Sequence, residues 1–358
     1  MALNKLDLLL GRLESGWGIE AGQGEDVAIL APGQTGPVVA PFTDNMSDDF
    51  RQVAEGFSVE LKVDKTNIKQ AVGALGQQRA VIGQIGADVK VTMYPVPMPN
   101  TETILDAICD FLRCSGMSLS IESGSSGYML PFAYRPSSDY VNDWLTMTLN
   151  KYTGDKTSLG SYLTRVMGCM FNPTFKAELG KPFVCELTGM GAVPAMPDVA
   201  TYPTTPITQL SDLIPPSLKF GSFNVYNTAY RLFSLELTLG NKIELVEDMS
   251  TAALGFLYAM IADRASTFKA KIVESPYASS GDISPFESLA EGDTFDFTST
   301  FGYANGRMNL STGYNNPNRA QLTGIKPGNK SGLNTWDIEG LVLDNDWQFL
   351  TNVQLADA

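Results

Sequence analysis

The chain of 358 residues contains no histidine. Histidine is the commonest general base near neutral pH and a frequent metal ligand, so its absence excludes Ser-His and Cys-His catalytic arrangements and every His-ligated metal site. Enzymes without a catalytic histidine exist. The missing residue type therefore favours a non-catalytic protein without ruling out an enzyme.

Basic residues are also scarce, with 25 Lys and Arg against 39 Asp and Glu and a net charge of −14. No cluster of basic residues of the kind that grips a phosphate backbone occurs in the sequence. Charged residues make up only 18% of the chain, which is below the usual quarter. This composition argues against a nucleic-acid clamp and favours a β protein with a polar, turn-rich surface.

The four cysteines, Cys109, Cys114, Cys169 and Cys185, do not have the spacing of a zinc site. We expect buried, inert thiols in a reducing compartment. The apolar run near the N-terminus is too short for a signal sequence, and no later run approaches a membrane-spanning length. The sequence therefore predicts a soluble protein that is made in the cytoplasm, without a cofactor, a metal or a membrane partner.

Three motif-like stretches are better explained by turns and loops. Residues 324–331 lack the Gly before Lys and the following helix of a phosphate loop, and the glycines between 16 and 24 have no βαβ unit around them. The aspartates at 44, 48 and 49 lack the alternating ligands of a calcium loop. Paired carboxylates of the glycosidase type stay open, because their separation is three-dimensional. No catalytic residue is predicted.

From residue 38 onward the sequence predicts β structure. Residues 57–64 alternate strictly between apolar and polar, which is typical of a strand with one buried face. One helix is expected from residue 100 or 101 to Gly116, and a hairpin is expected through the turn at 180–182. Segment 251–261 is ambiguous between helix and strand. Further strands are predicted at 89–94, 118–122, 128–134, 141–150, 162–171, 294–301, 307–314, 320–325 and 335–343.

The chain divides into an arm and two halves. Residues 1–36 form a glycine-dotted arm whose apolar side chains need a partner to cover them, and residues 191–216 contain six prolines and indicate a linker. Residues 233–239 repeat the strand at 57–63 with nearly the same sequence, which favours a duplicated β module. The predicted boundaries are 1–36 for the arm, 37–210 for the first module with its linker, and 211–358 for the second module and tail.

This order of parts resembles a known family. A hairpin ending at 183–194 is followed by the proline-rich bridge, and then by the strand at 232–242 with an acidic turn at 247–248. The arrangement resembles the major tail tube proteins of long-tailed, siphovirus-like bacteriophages, in the longer type that carries two tube modules. The resemblance covers roughly residues 38–343, and its most specific motif is Leu-Gly-Asn-Lys at 239–242.

The resemblance implies a mainly β fold, in which each module is a β-sandwich or barrel with a flanking helix, and it implies a strand at 254–261. It implies a structural subunit, not an enzyme, that forms stacked rings in the virion tail and is assembled in the host cytoplasm. Another tail or injection-tube component, or a carbohydrate-active β enzyme, is the alternative.

The partners implied are further copies of the chain, in a trimeric ring of pseudo-sixfold symmetry or alternatively a hexamer, and the tape-measure, tail-terminator and distal tail proteins. Double-stranded DNA would pass through the ring without specific binding.

The resemblance also assigns residues to two surfaces. It places the polar faces of the repeated strands at the channel, where the glutamates would contribute a negative field. The candidate lumen-lining residues are Glu60, Lys62, Glu236 and Thr238. The arm would connect successive rings, and its candidate contact residues are Leu3, Leu6, Leu9 and Leu10.

Overall fold

The computed structural model describes residues 5–14, 53–67, 80–95, 107–121, 132–139, 143–155, 161–200, 222–225, 228–247, 255–273, 289–301 and 307–353. Within these ranges the chain is mainly β, as predicted, and every strand pair is antiparallel. The helix α1 spans Ala107–Arg113. The strands are β1 (Lys5–Leu13), β2 (Val53–Asn67), β3 (Ala80–Met93), β4 (Met117–Ile121), β5 (Phe132–Pro136), β6 (Met147–Asp155), β7 (Ser161–Glu178), β8 (Val184–Ala192), β9 (Asp198–Ala200), β10 (Ser222–Val225), β11 (Thr228–Thr238), β12 (Asn241–Glu247), β13 (Phe256–Arg264), β14 (Thr267–Val273), β15 (Thr294–Phe295), β16 (Phe297–Phe301), β17 (Arg307–Thr312), β18 (Ala320–Lys330), β19 (Leu333–Val342) and β20 (Trp347–Val353).

One sheet runs without interruption through both halves of the chain. Its order is β2-β3-β8-β7-β11-β14-β19-β18, and the short β15 continues it at one end of β18. We call it the long sheet. The alternation predicted at 57–64 is confirmed, since Phe57, Val59 and Leu61 on β2 pack against the core while Glu60 between them is exposed.

The strand order of the long sheet repeats itself. Along the chain the strands that the first half contributes to this sheet follow each other as β2, β3, β7 and β8. Across the sheet their order is β2, β3, β8, β7, so that β7 is the outermost of the four. The last four, β11, β14, β18 and β19, stand in the same order with the same directions. The two strands that echo each other in sequence, β2 and β11, thus hold the same place in each half.

A second sheet covers the apolar side of the long sheet. Its order is β4-β5-β20-β17-β16-β10, and β10 also pairs with the start of β11. The C-terminal β20 therefore lies between a strand of the first half and a strand of the second. Phe349 on β20 packs its ring 4.8 Å from Phe175 and 5.8 Å from Phe183, and Phe183 lies 5.2 Å from Phe301. One aromatic core is shared by both halves.

The N-terminal segment differs from the expected arm. Residues 5–13 form β1, which pairs with β6 of the same chain, and β6 in turn pairs with the first part of β7. The buried Glu14 anchors this strand, because its carboxylate accepts hydrogen bonds from the Thr146 and Thr148 hydroxyls and from the Gly168 N–H at 2.6–2.7 Å. Residues 5–14 of the predicted arm are thus held by strands of their own chain. The rest of 1–36, including Leu3, lies outside the described residues.

The hairpin β12–β13 of the second half reaches over the first half. Arg264 on β13 donates to the carbonyls of Ser115 and Gly116 after α1 and to Ser137, while the Asn241 side chain donates to Ser115 and Phe171. Burial lowers the pKa of Arg264 to about 10, which still leaves the guanidinium charged at neutral pH. Asn241, in the Leu-Gly-Asn-Lys motif at 239–242, therefore lies at the contact between the two halves.

Other local predictions have clear outcomes. The helix is confirmed over α1, and Gly116 with a φ of 71° ends it. The ambiguous segment 251–261 is a strand from Phe256 onward, where β13 begins, and its residues 251–254 lie outside the described residues. The strand predicted at 162–171 and the first strand of the hairpin predicted around 180–182 belong to one long strand, β7. The phosphate-loop-like stretch is the β18–β19 hairpin, in which Ser331 and Gly332 both have positive φ. Most of the predicted linker lies outside the described residues.

The shared aromatic core gives a testable prediction. We expect Phe349→Ala to lower the free energy of unfolding by about 3–5 kcal/mol, because it empties a fully buried position that both halves contact. Chemical denaturation measures the change. Leu333→Ala, on an exposed hairpin tip, is the control and should cost less than about 0.5 kcal/mol. If two separate transitions appear in the wild type, the halves do not share a cooperative core.

Candidate functional site: the polar face of the long sheet

The long sheet has one apolar face against the core and one polar face. Strand register places the four predicted lumen residues together on the polar face, with Glu60 and Lys62 on β2 and Glu236 and Thr238 on β11. The two strands are separated by β3, β8 and β7, which corresponds to roughly 19 Å at the usual strand spacing. The alternation in the sequence was sufficient to predict their common face.

Glu236 lies in the middle of the sheet between two lysines. It stands opposite Lys176 on β7 and opposite Lys269 on β14. Lys176 also contacts Glu186 at 2.6 Å, and Lys269 lies 4.0 Å from Glu339. A row of alternating charges therefore crosses five strands, and Glu236 is its central member. Opposite charges facing each other across strands stabilise a sheet.

Glu60 lies in a different environment at the edge of the sheet. It stands opposite Asp88 on β3, and Lys62 contacts the same Asp88 at 3.5 Å. Among the described strands β2 pairs with β3 alone, so the other side of Glu60 has no neighbouring strand. Thr238, by contrast, is enclosed, and its hydroxyl lies 3.2 Å from that of Thr174.

The described part of the polar face is balanced in charge, whereas the two repeated strands alone led us to expect a negative field. The described carboxylates on it are as numerous as the lysines, so neither sign dominates. The carboxylates are Glu60, Asp88, Glu178, Glu186, Glu236, Asp337 and Glu339, and the lysines are Lys62, Lys90, Lys176, Lys269, Lys271, Lys326 and Lys330. The candidate residues came only from the two repeated strands. The lysines on β7 and β14 lie on other strands and were not predicted. The strict alternation of Thr-Phe-Lys-Ala-Lys at 267–271 was the signal that could have revealed two of them.

A shallow basin lies over the second part of this face. It has a volume of about 460 Å³ and is lined by β7, β11, β14 and β19, together with Lys330 near the tip of the β18–β19 hairpin. Lys330 approaches Glu178 to 3.8 Å and the Phe233 ring to 5.3 Å. Because ionic side chains of both signs line the basin, it presents a hydrated and electrically mixed surface.

The opposite end of the face is covered. The hairpin β12–β13 lies over Met170 and Met190, and its Ala259 and Ile261 are buried against them. The hairpin lies close to β3, because a Cβ added at Gly86 would lie 2.5 Å from Leu245 Cδ1, so the leucine end would have to move aside. The open part of the polar face therefore runs from Glu60 and Asp88 across to the basin.

The four cysteines are free and buried. Burial raises the pKa of Cys114, Cys169 and Cys185, so the reactive thiolate form is disfavoured. Within the described ranges, no three Cys, Asp or Glu side chains are grouped closely enough to hold a metal ion. In the same ranges no helix is long and apolar enough to cross a membrane.

A comparison with protein-family models found no family that matches this chain. A search of curated proteins also found no match.

The two glutamates should differ in how much charge reversal lowers the free energy of unfolding. Glu236→Lys places three lysines side by side, and we expect it to lower the free energy of unfolding by about 1 kcal/mol. Glu60→Lys faces Asp88 and should change it by less than about 0.5 kcal/mol. Denaturation at low and high salt measures both, and the Glu236→Lys effect should shrink in high salt. Equal effects would contradict the charge row.

The thiols should be protected in the folded protein. We expect a chromogenic disulfide reagent at pH 8 to leave all four cysteines unmodified in the native state and to react with all four in guanidinium. Absorbance against time measures the reaction. Rapid modification of one native cysteine would show that its thiol is accessible.

Proposed function

We propose that the chain is the structural subunit of a phage-type tail tube, which assembles as stacked rings around a channel for DNA. The observation that carries the proposal is the repeated antiparallel sheet, in which two equivalent four-stranded units stand side by side. Among the described residues no strand pairs with the outer side of β2, and on the outer side of β18 only Ala320 and Gln321 are paired, with β15. The two tube modules of this proposal correspond to these units.

Edge strands supply the means of assembly. The apolar side chains of β2 are only partly buried, whereas Leu235, Leu237 and Leu239 at the same positions of β11 are almost completely buried. A long edge strand with exposed backbone groups and partly exposed apolar side chains is a template for another strand. A neighbouring copy would cover β2 as β7 covers β11.

The width of the sheet favours three chains per ring over six. Eight strands at the usual spacing cover roughly 38 Å of arc, so three chains would close a barrel roughly 37 Å across with upright strands and about 48 Å across at a 40° tilt. Such a barrel leaves room for a DNA duplex after its lining side chains are counted. Six chains would make a channel about twice as wide.

The polar face suits a channel wall. The row through Glu236 alternates lysines with carboxylates, and the described face as a whole has equal numbers of both, so phosphates meet no basic excess that would hold them. In this proposal DNA passes because the wall is hydrated and neutral, and the repulsion expected from the sequence has a smaller part. The channel wall consists of the open part of the face, since β12–β13 covers the other end.

The remaining elements of the proposal concern the virion. The rings would stack into the tail and meet the tape-measure, tail-terminator and distal tail proteins, and the protein would act without catalysis. The support for these elements is the resemblance in the order of parts along the chain.

Electron microscopy of the purified protein tests the function. We expect rings or tubes with an open channel at high concentration, and sedimentation far above that of a 38.7 kDa monomer. The double variant Val59→Lys/Leu61→Lys places charges on the apolar side of the edge strand, and should give folded monomers.

Tyr314→Ser, at an exposed residue of the second sheet's surface, is the matched control and should assemble normally. Circular dichroism verifies that each variant is folded. A wild-type protein that stays monomeric at every concentration would contradict the proposed function.

A further inference from the structure

We propose that β18 of one copy pairs antiparallel with β2 of the next copy, in the register that β7 and β11 adopt within one chain, so that Glu60 faces Lys330. This inference rests on the proposed self-assembly and adds the edges, the register and the residue pair that define the contact.

The template is the junction between the halves. β11 pairs with β7 from Ser234 opposite Glu178 to Thr238 opposite Thr174, which sets Glu236 opposite Lys176. The Leu239 N–H continues the ladder by donating to the carbonyl of Pro173 at 3.1 Å. The outermost strand of the first unit, β7, thus pairs with the first strand of the second unit, β11.

Strand register identifies the equivalent residues in β18. Crossing the first unit from Glu60 leads through Asp88 and Met190 to Met170. Crossing the second unit from Glu236 leads through Lys269 and Glu339 to Gly324. Gly324 therefore corresponds to Met170, and counting along both strands makes Lys330 the counterpart of Lys176.

A pair of prolines supports this alignment independently. Pro173 on β7 stands opposite Leu187, and Pro327 on β18 stands opposite Trp336. By the same count Pro327 is the counterpart of Pro173. A proline inside a strand has no N–H for the ladder but keeps its carbonyl, so it belongs at a position where only an acceptor is needed. In the proposed junction the Val63 N–H donates to Pro327, as Leu239 does to Pro173.

The edge of β18 is open where the junction requires it. β15 pairs only with Ala320 and Gln321, and no described strand pairs with the outer side of 324–330. On β7 the same division holds, because β6 occupies 161–169 and leaves 174–178 to β11. In each unit the outermost strand, β7 or β18, pairs within the chain along its first part. Its second part pairs with the first strand of the next unit, which for β18 belongs to another copy in this proposal.

The charges at the two edges are complementary. Glu60 is exposed on β2, and Lys330 is the counterpart of the lysine that faces Glu236. In the single chain Lys330 lies 3.8 Å from Glu178, so the contact with Glu60 replaces one carboxylate by another. The occupant of both edges is a second copy of this chain.

Charge exchange tests the residue pair. We expect Glu60→Lys and Lys330→Glu each to raise the concentration needed for assembly about tenfold, because like charges then face each other. The double variant Glu60→Lys/Lys330→Glu should assemble at the wild-type concentration. Lys90→Glu, on the same face but on β3, which has strands of its own chain on both sides and faces Ser58 and Thr188, is the matched control and should assemble at the wild-type concentration. If the double variant is no better than either single variant, the pair is wrong.

Cross-linking tests the register. Glu60→Cys protein mixed with Lys330→Cys protein should give disulfide-linked or short bis-maleimide-linked dimers, since the native cysteines are buried. Glu60→Cys mixed with Lys326→Cys, which is displaced along β18, should give few. Rings without the 60–330 link overturn this inference and leave the tube function standing. A wild-type protein that forms no rings overturns both.

Discussion

The pairing of β7 with β11 is the contact on which the rest of the structure depends. It joins the last strand of the first unit to the first strand of the second, and so makes one sheet from segments that are distant in sequence. The second sheet covers the apolar side of this continuous sheet. It is continuous as well, because β20 pairs with β5 of the first half and with β17 of the second. The bonds of Arg264 and Asn241 hold the same joint at its end. Two halves with a common sheet and core present fixed edges to a neighbour.

The same pairing determines the character of the polar face. Glu236 has a lysine on each side because strands from both halves bring Lys176 and Lys269 opposite it. Its counterpart Glu60 faces Asp88 on one side and has no described strand on the other. Glu236 lies in a strand junction that is formed within the chain, whereas Glu60 lies on an edge strand. In the proposed assembly a neighbouring copy would bring a lysine opposite Glu60 as well.

Local patterns allowed much of the fold to be predicted, whereas contacts between distant segments did not follow from them. The strands β2 and β11 and the β7–β8 hairpin were predictable because alternation and turn residues are local signals. β1 was not, since its partner β6 lies some 140 residues away and the Glu14 anchor involves three other positions. Segment 256–261 became a strand because β12 pairs with it and Met170 covers it, which overrides its helical composition. The candidate face was predictable from alternation, but its charge balance depended on register between strands.

The central claim is that each chain supplies two successive units to one ring. A three-dimensional reconstruction of the assembled ring by electron cryomicroscopy tests it most directly. The account predicts three chains in a threefold ring with nearly sixfold density. Each chain contributes the eight strands of the long sheet, which begins at β2 and ends at β18. Six chains around the ring, or a long sheet whose polar face points away from the channel, would contradict it.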